Sequence, residues 1–500
     1  MKKVSKKEGK KSEKNNTIIQ NVKNVGTYWK KPQSGRYVPF SEIVAFSGGG
    51  IGVKTVNSMV SQISMSATCL LIGSIYKLSP SNIFILFVLS NIISVLKTPI
   101  VSILVDNTNT KMGKFRPYLL WAGIPCLIGV VGMTWLIPIN GSNITKMVLI
   151  AIFYNILYIG QHIYNNAYTG ISQVISPDSG ERTFIMSISE FVSNLGPSLV
   201  TLILPIFAQI FFGSEGLLDI KSYRILLPAF AAAGFALGLV VMFKTKERVI
   251  KPVSEKEEKV SFKEGFAGIA HSRDFWIVCV GKFFDGCRGA ISVLLNWICL
   301  YQLGSSAMAG ILPTITSTAF IPGMLLAPLC IKKLGYRKFG FGSFSLNAVA
   351  ALIMVLTFQK SIVFFVISLY IFNFASGPQY ILQTSLTADA LDQQQLRTGK
   401  RVEGFAQNIQ LMFSVIGSIF STAILTFVYE FFGLAAGADG LTDYSVLTDA
   451  AIRDPIITYS ILIALIASLI SAAPFIFCNM TKEKHAKIIE ELQKKAEDEE

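Results

Sequence analysis

The sequence predicts an all-α membrane protein, with twelve transmembrane helices in two six-helix pseudo-repeats. Three observations predict it: apolar runs of membrane-spanning length, positive charge confined to alternate loops, and loop motifs that recur across the middle of the chain. Hydrophobic residues make up 51% of the 500 and charged residues 15%, and mean hydropathy is +0.52, too little polar surface to clothe soluble domains. Apolar runs recur from about residue 45 to 479, each near the ~20 residues that cross ~30 Å of hydrocarbon. Lipid offers backbone groups no partners, so such runs are read as helices, which satisfy themselves. Spans 1 to 12 are expected at 45–74, 82–105, 119–138, 147–174, 184–211, 223–243, 275–302, 306–330, 340–358, 361–386, 403–432 and 455–479.

Charge sets the orientation. The net charge of +14 invites a nucleic-acid reading, and its distribution argues against one. Loops after even-numbered spans hold nineteen Lys and Arg, and loops after odd-numbered spans hold five. That asymmetry predicts a multi-pass protein of the cell membrane with both termini and the even loops cytoplasmic. The basic tail at 1–40 carries eleven more cations; it is expected to be a disordered topology signal, with a lipid-surface role as the alternative. Its polar leading residues predict no cleavable signal peptide. The tail at 480–500 (TKEKHAKIIEELQKKAEDEE from 481) reads as a short surface helix. Seven cysteines sit singly in apolar spans without metal spacing, so they are read as small buried hydrophobes. No cofactor or metal is expected.

The repeat is carried by two loops. The longest polar break, 244–274, separates a six-helix half at 41–243 from another at 275–479. After span 2 the chain runs Asp106-Asn-Thr-Asn-Thr-Lys-Met-Gly113-Lys-Phe-Arg116-Pro, and after span 8 Lys332-Lys-Leu-Gly335-Tyr-Arg337-Lys. Ser179-Gly-Glu-Arg182 precedes span 5, and Thr398-Gly-Lys-Arg401 precedes span 11. The offsets, 222 and 219 residues, point to one duplication. Two six-helix repeats about an axis along the membrane normal is the layout of major facilitator transporters. In these loops Gly permits a tight turn, while Arg and Lys can hold helix-end carbonyls. Asp106, Gly113, Arg116, Arg182, Arg337 and Arg401 are therefore expected to latch a gate.

At DNTNTKMGKFRPYLLWAGIP (106–125) the chain resembles the glycoside–pentoside–hexuronide cation symporters, the melibiose permease-like group. TADALDQQQLRTGKRVEG (387–404) and Pro177-Asp-Ser-Gly-Glu-Arg182 are similar to two further signatures of that family. The resemblance covers about residues 40–480 and implies the major facilitator fold, alternating access and a sugar-like solute. The family's working residues carry over badly. Its two cation-binding span 2 aspartates fall on Ser94 and Thr98, with Lys97 at a usual amide position. The span 4 hydroxyl falls on His162, the sugar-binding aspartate on Asn165, and the tryptophan one turn on at Thr169. An arginine of span 5 falls on Glu190, the span 1 aspartate near Lys54, and the span 11 lysine on Val415.

The residues locate a site without that resemblance. Only Lys54, Lys97, Arg224, Lys282 and Arg288 among the cations lie inside spans, and only Glu190 and Asp285 among the acids lie deep in one. Each charge costs ~2.5–3.5 kcal/mol at a helix centre on insertion scales and needs a partner or a wet cavity. Helical spacing adds amide and hydroxyl stripes: Asn57, Ser58, Ser61 and Gln62; Asn165, Asn166 and Thr169; Asn194; Asn373, Tyr380 and Gln383; Gln407, Gln410 and Ser414. An amide both donates and accepts, as a sugar hydroxyl requires of its partners. Lys54, Asn57, Asn165, Asn166, Thr169, Asp285, Tyr380 and Gln383 are expected to bind solute, and Glu190, Asp285, Lys97 and His162 to serve coupling. The plainer readings are helix-gluing amides, mutual neutralisation of Lys282 and Asp285 three residues apart, a packing role for His162, and snorkelling of Lys97 and Arg224.

This pattern predicts a secondary transporter of a sugar or glycoside-like small molecule, independent of sodium and working by proton symport or uniport. The alternatives are a transport-inactive sensor with the same fold and a facilitator of an organic anion. An enzyme would want a nucleophile–base pair, a metal cluster or paired carboxylates. The two deep acids lie on different spans, and His162 is the one histidine within a span.

Overall fold

The computed structural model describes residues 28–33, 36–106, 108, 110, 112–213, 215–248, 266, 269–398 and 403–499. All twelve predicted spans fall on helix. Among the described residues, eight helices are long and apolar enough to cross a membrane, and they contain spans 3 to 6 and 8 to 12. Spans 1, 2 and 7 are Phe40–Gln62, Pro80–Asp106 and Arg273–Trp297.

Boundaries move where local chemistry dictates. Ser142, Asp178, Asp219 and Asp449 cap helices by accepting a backbone N–H with their side chains, satisfying donors that a helix leaves unpaired at its start. The predicted span 1 breaks after Gln62 and resumes as a short π-helical turn, Leu71–Ile75. Spans 8 and 9 run on as Phe320–Thr357, kinked at Gly335 with φ 72°. Span 10 continues to Thr398, twelve residues beyond the predicted 386, because polar residues past the apolar run keep helical pattern. The charged C-terminal segment is the helix Lys482–Glu499. Its Ile488 is buried and Leu492 packs beside it, against the second half. All seven cysteines are free, and all but Cys330 are buried.

Lipid tails are as apolar as leucine, so helices associate in a membrane by close packing of small residues. Spans 1 and 6 meet this way: a Cβ on Gly52 would lie 2.3 Å from the Gly234 carbonyl oxygen. Spans 8 and 10 repeat the device, with Gly323 and Gly377 each set against a carbonyl of the other helix.

Hydrogen bonds between the halves cluster at one end, in loops and helix ends that follow odd-numbered spans. The Thr442 N–H donates to the Lys77 carbonyl at 2.8 Å, and the Ser81 N–H to Glu430 Oε1 at 2.8 Å. Tyr444 donates to the Leu78 carbonyl at 2.9 Å, and the Leu217 N–H to Ser306 Oγ at 2.9 Å. Gln209 Oε1 accepts the Ala307 N–H at 2.6 Å. The bundle is therefore clasped at the end away from residues 244–248.

Candidate functional site

The interior polar residues of the first half form two clusters. Lys54 on span 1 pairs with Glu190 on span 5 at 3.0 Å, and the two side chains are 22% and 58% exposed. Asn194, one turn on from Glu190, donates to the same carboxylate oxygen at 3.3 Å. The stripes of spans 1 and 4 meet where Asn57 Nδ2 donates to Asn165 Oδ1 at 2.8 Å. The second cluster belongs to Lys97, which is only 5% exposed. Its ammonium donates to the Tyr158 carbonyl at 3.1 Å and lies 3.6 Å from the centroid of the Tyr158 ring. This is no snorkelling side chain: the charge is turned into the bundle and held by span 4. His162 and Asn166 are half-buried and Thr169 is exposed. Arg224 does not merely snorkel either, since its Nε donates to the Thr134 carbonyl at 3.2 Å.

The second half holds a cavity of about 290 Å³ between spans 7, 8 and 10. Lys282, Asp285, Arg288, Asn373, Tyr380 and Gln383 line it, together with Gln379. The plainer reading, in which Lys282 and Asp285 neutralise each other, is not what forms: Asp285 is in direct ion-paired contact with Arg288. The guanidinium wins because it is buried, and it also reaches Ser471 Oγ and the Gly281 carbonyl and lies 4.7 Å from the Phe344 ring centroid. A planar fork can satisfy several acceptors at once where a lysine presents a point charge. Lys282 instead lies 5.8 Å from the Tyr380 ring centroid. Asn373 donates to the Thr316 carbonyl at 3.1 Å, and Gln410 to Thr387 Oγ1 at 2.8 Å, so these two amides do join helices.

At the linker end of the first half, a carboxylate organises the loop after span 2. Glu247 accepts the backbone N–H groups of Lys114, Phe115 and Arg116 at 2.7, 2.9 and 2.9 Å. Gly113 sits beneath it at φ 112°, where a Cβ would fall 2.5 Å from the carboxyl carbon. Arg116 Nε donates to the Met242 carbonyl at 2.8 Å, and Arg182 to the Gln173 carbonyl at 3.4 Å. Arg248 grips Glu42 in two bonds of 2.7 and 2.8 Å. Arg337 is exposed in the matching loop of the second half. Arg401 and the side chains of Thr98 and Asp106 lie outside the described residues.

Residues 72–482 match the family described as MFS/sugar transport protein. The chain belongs to that family. A lactose permease of Leuconostoc lactis is 25% identical over 428 residues, which cover 82% of this chain and 64% of that one. The chain therefore spans just under two thirds of that relative's length. An isoprimeverose transporter of Lactiplantibacillus pentosus is 24% identical over 375 residues, covering 73% of this chain and 75% of its own. Among solved structures, a D-xylose-proton symporter superposes with a TM-score of 0.59 at 16% identity, over 89% of this chain and 99% of that one. That likeness shows the fold, and it agrees with the twelve-span reading. Family and fold make this chain a multi-pass membrane protein.

Two groups escaped the sequence reading. Glu247 lies in a Lys-Thr-Lys-Glu-Arg run that looks like any charged linker, and nothing local marks it as the acceptor for a loop 131 residues earlier. Gln379 had a usable signal, since it stands four residues before Gln383 on the same helical face.

Proposed function

We propose that this chain moves a sugar or glycoside-like solute by alternating access, by proton symport or uniport, and that sodium does not drive it. The observation that carries the second part is the buried Lys97 ammonium, fixed on the Tyr158 carbonyl and ring in the part of span 2 where related symporters carry cation-binding aspartates. A sodium site needs oxygens with net negative charge. Here a positive charge stands in that neighbourhood, and two unit charges 4 Å apart repel by ~4 kcal/mol at an effective dielectric near 20. That is a penalty of roughly a thousandfold on binding. Glu190, Asp285, His162 and Lys97 are the groups able to carry a proton in the symport form. The solute is assigned to the polar walls of spans 1, 4, 7 and 10, with Lys54, Asn57, Asn165, Asn166, Thr169, Asp285, Tyr380 and Gln383 as its contacts.

Lys and Arg are concentrated in the even loops, which supports a cytoplasmic linker and cytoplasmic termini. With that orientation the clasped end is the outer one and the conformation is inward-facing. The domain limits follow: a basic tail at 1–40, halves at 41–243 and 275–479 about the 244–274 linker, and a C-terminal tail at 480–500. Solute counterflow in sodium-free proteoliposomes, screened over glycosides and pentosides, tests the transport reading. Exchange of a labelled sugar is expected; saturable binding with no exchange would mark a sensor instead.

A further inference from the structure

We propose that Asp389, Asp392 and His485 form a site for a first-row divalent cation, with zinc the best match, that ties the C-terminal helix to the C-terminal end of span 10. The proposal does not depend on which solute the chain carries. Asp389 and Asp392 lie on the continuation of span 10, three residues apart and so on one face of the helix. His485 lies near the start of the helix Lys482–Glu499. Its Nε2 is 3.0 Å from Asp392 Oδ2 and 3.5 Å from Asp389 Oδ1. One ligand atom from each of the three residues lies within 4.8 Å of the other two. The aspartate side chains are each 15% exposed and the imidazole 29%. His485 is 93 positions from Asp392, which is why the sequence shows no metal spacing.

The donor set selects the ligand. Zinc bonds to imidazole nitrogen and carboxylate oxygen are ~2.0–2.2 Å long, so two donors on one tetrahedral zinc stand roughly 3.3–3.5 Å apart. The two distances from His485 Nε2 fall close to that spacing, and the carboxylates need only a small closing movement. A mixed imidazole and carboxylate set suits zinc and its first-row neighbours, whereas calcium and magnesium prefer oxygen alone. Charge points the same way. With both carboxyls ionised, the three side chains stay net negative even when the imidazole is protonated, and a divalent cation offsets that charge. Tyr336 hydrogen-bonds Asp389, the outer support that metal-binding carboxylates commonly have. A cavity of about 390 Å³, lined by Asp389, His485, Tyr336 and Ser385, adjoins the cluster and supplies an entry path and room for water. Lys332 also lines that cavity and is the competing cation. Ile488 already buries its side chain against the second half, so bound metal would stiffen that half rather than its junction with the first.

The test titrates Zn²⁺ alone into the purified full-length protein, stripped of metal by a chelator and held in detergent, and follows heat and melting temperature. One equivalent is expected to bind and to raise the melting temperature. His485→Gln and Asp389→Asn should each weaken binding by roughly ten-fold or more. His271→Gln should leave it unchanged, and Lys332→Gln should leave it unchanged or tighten it. Co²⁺ in place of zinc reads the donors: the native protein should show visible bands without the near-ultraviolet absorption that marks a thiolate ligand. His485→Cys should still bind the metal and gain that absorption, which keeps the test decisive if His485→Gln does not fold. Three results overturn the proposal: no binding of Zn²⁺, binding that survives both His485→Gln and Asp389→Asn, or thiolate absorption in the native protein. The first would leave His485 as a plain ion-pair partner of the two aspartates, and all three leave the sugar-carrier reading standing.

Discussion

At the scale of single residues, the interior is organised by which charge finds which partner, and that is where sequence spacing is least informative. Lys282, Asp285 and Arg288 are spaced so that either cation can reach the acid, and a helix projection cannot choose between them. Burial chooses: Arg288 is 4% exposed, while the Asp285 side chain is 39% exposed. The two halves of this pair should therefore respond unequally to mutation. Asp285→Asn strands a buried guanidinium, and breaking a buried pair costs ~3–5 kcal/mol. Arg288→Gln leaves a carboxylate that the cavity can hydrate, so its cost should be clearly smaller. Melting temperatures of the two variants in the same detergent check the order; a larger loss for Arg288→Gln would contradict the assignment. The Lys54–Glu190 pair differs, since its acid is 58% exposed and exposed pairs contribute only ~0–1 kcal/mol. Glu190→Gln should hardly move the melting temperature, and any fall in transport it causes then reports on function rather than on folding. Lys97 was visible as an anomaly in span 2, but its Tyr158 partners were not, because they lie 61 positions away.

At the scale of elements, spans and motifs were legible and their ends were not. Apolar length and charge counts place twelve helices without reference to any contact. What they miss are continuations, such as span 10 running to Thr398, and breaks, such as span 1 stopping at Gln62. The continuation is carried by polar residues, which an apolar-length criterion does not register. The paired loop glycines are the clearest case of a motif with a readable physical cause. Gly113 has φ 112° and Gly335 φ 72°, a region in which an L side chain is strained. Around Gly335 nothing lies within 4 Å of an added Cβ, whereas at Gly113 the Glu247 carboxylate stands in the way. Gly335→Ala should cost only the backbone term, ~1–2 kcal/mol. Gly113→Ala should cost more, because displacing Glu247 also frees three backbone donors, each worth about 1 kcal/mol. Stability of the two variants, read as melting temperature, decides this; equal losses would mean that Glu247 does not hold the loop.

At the scale of the whole molecule, the fold was the most legible feature, because membrane insertion leaves so few architectures available. The conformation was not legible at all, since both faces of an alternating-access cycle are written in one sequence. The structure supplies it: the clasp between Lys77–Asn82 and Gly440–Tyr444 closes one end, with Leu78 and Leu441 bridged backbone to backbone. Cysteines at Leu78 and Leu441 should form a disulfide that stops flux, and reductant should restore it; uninterrupted flux through the oxidised variant would mean this end need not open. The central claim concerns what drives the cycle, and initial uptake rates in proteoliposomes test it most directly, with sodium or potassium outside and with or without an acid-outside pH gradient. The account predicts rates unaltered by the exchange of sodium for potassium, in the native protein and across the full range of gradients. Acceleration by sodium alone, at constant pH, would contradict it.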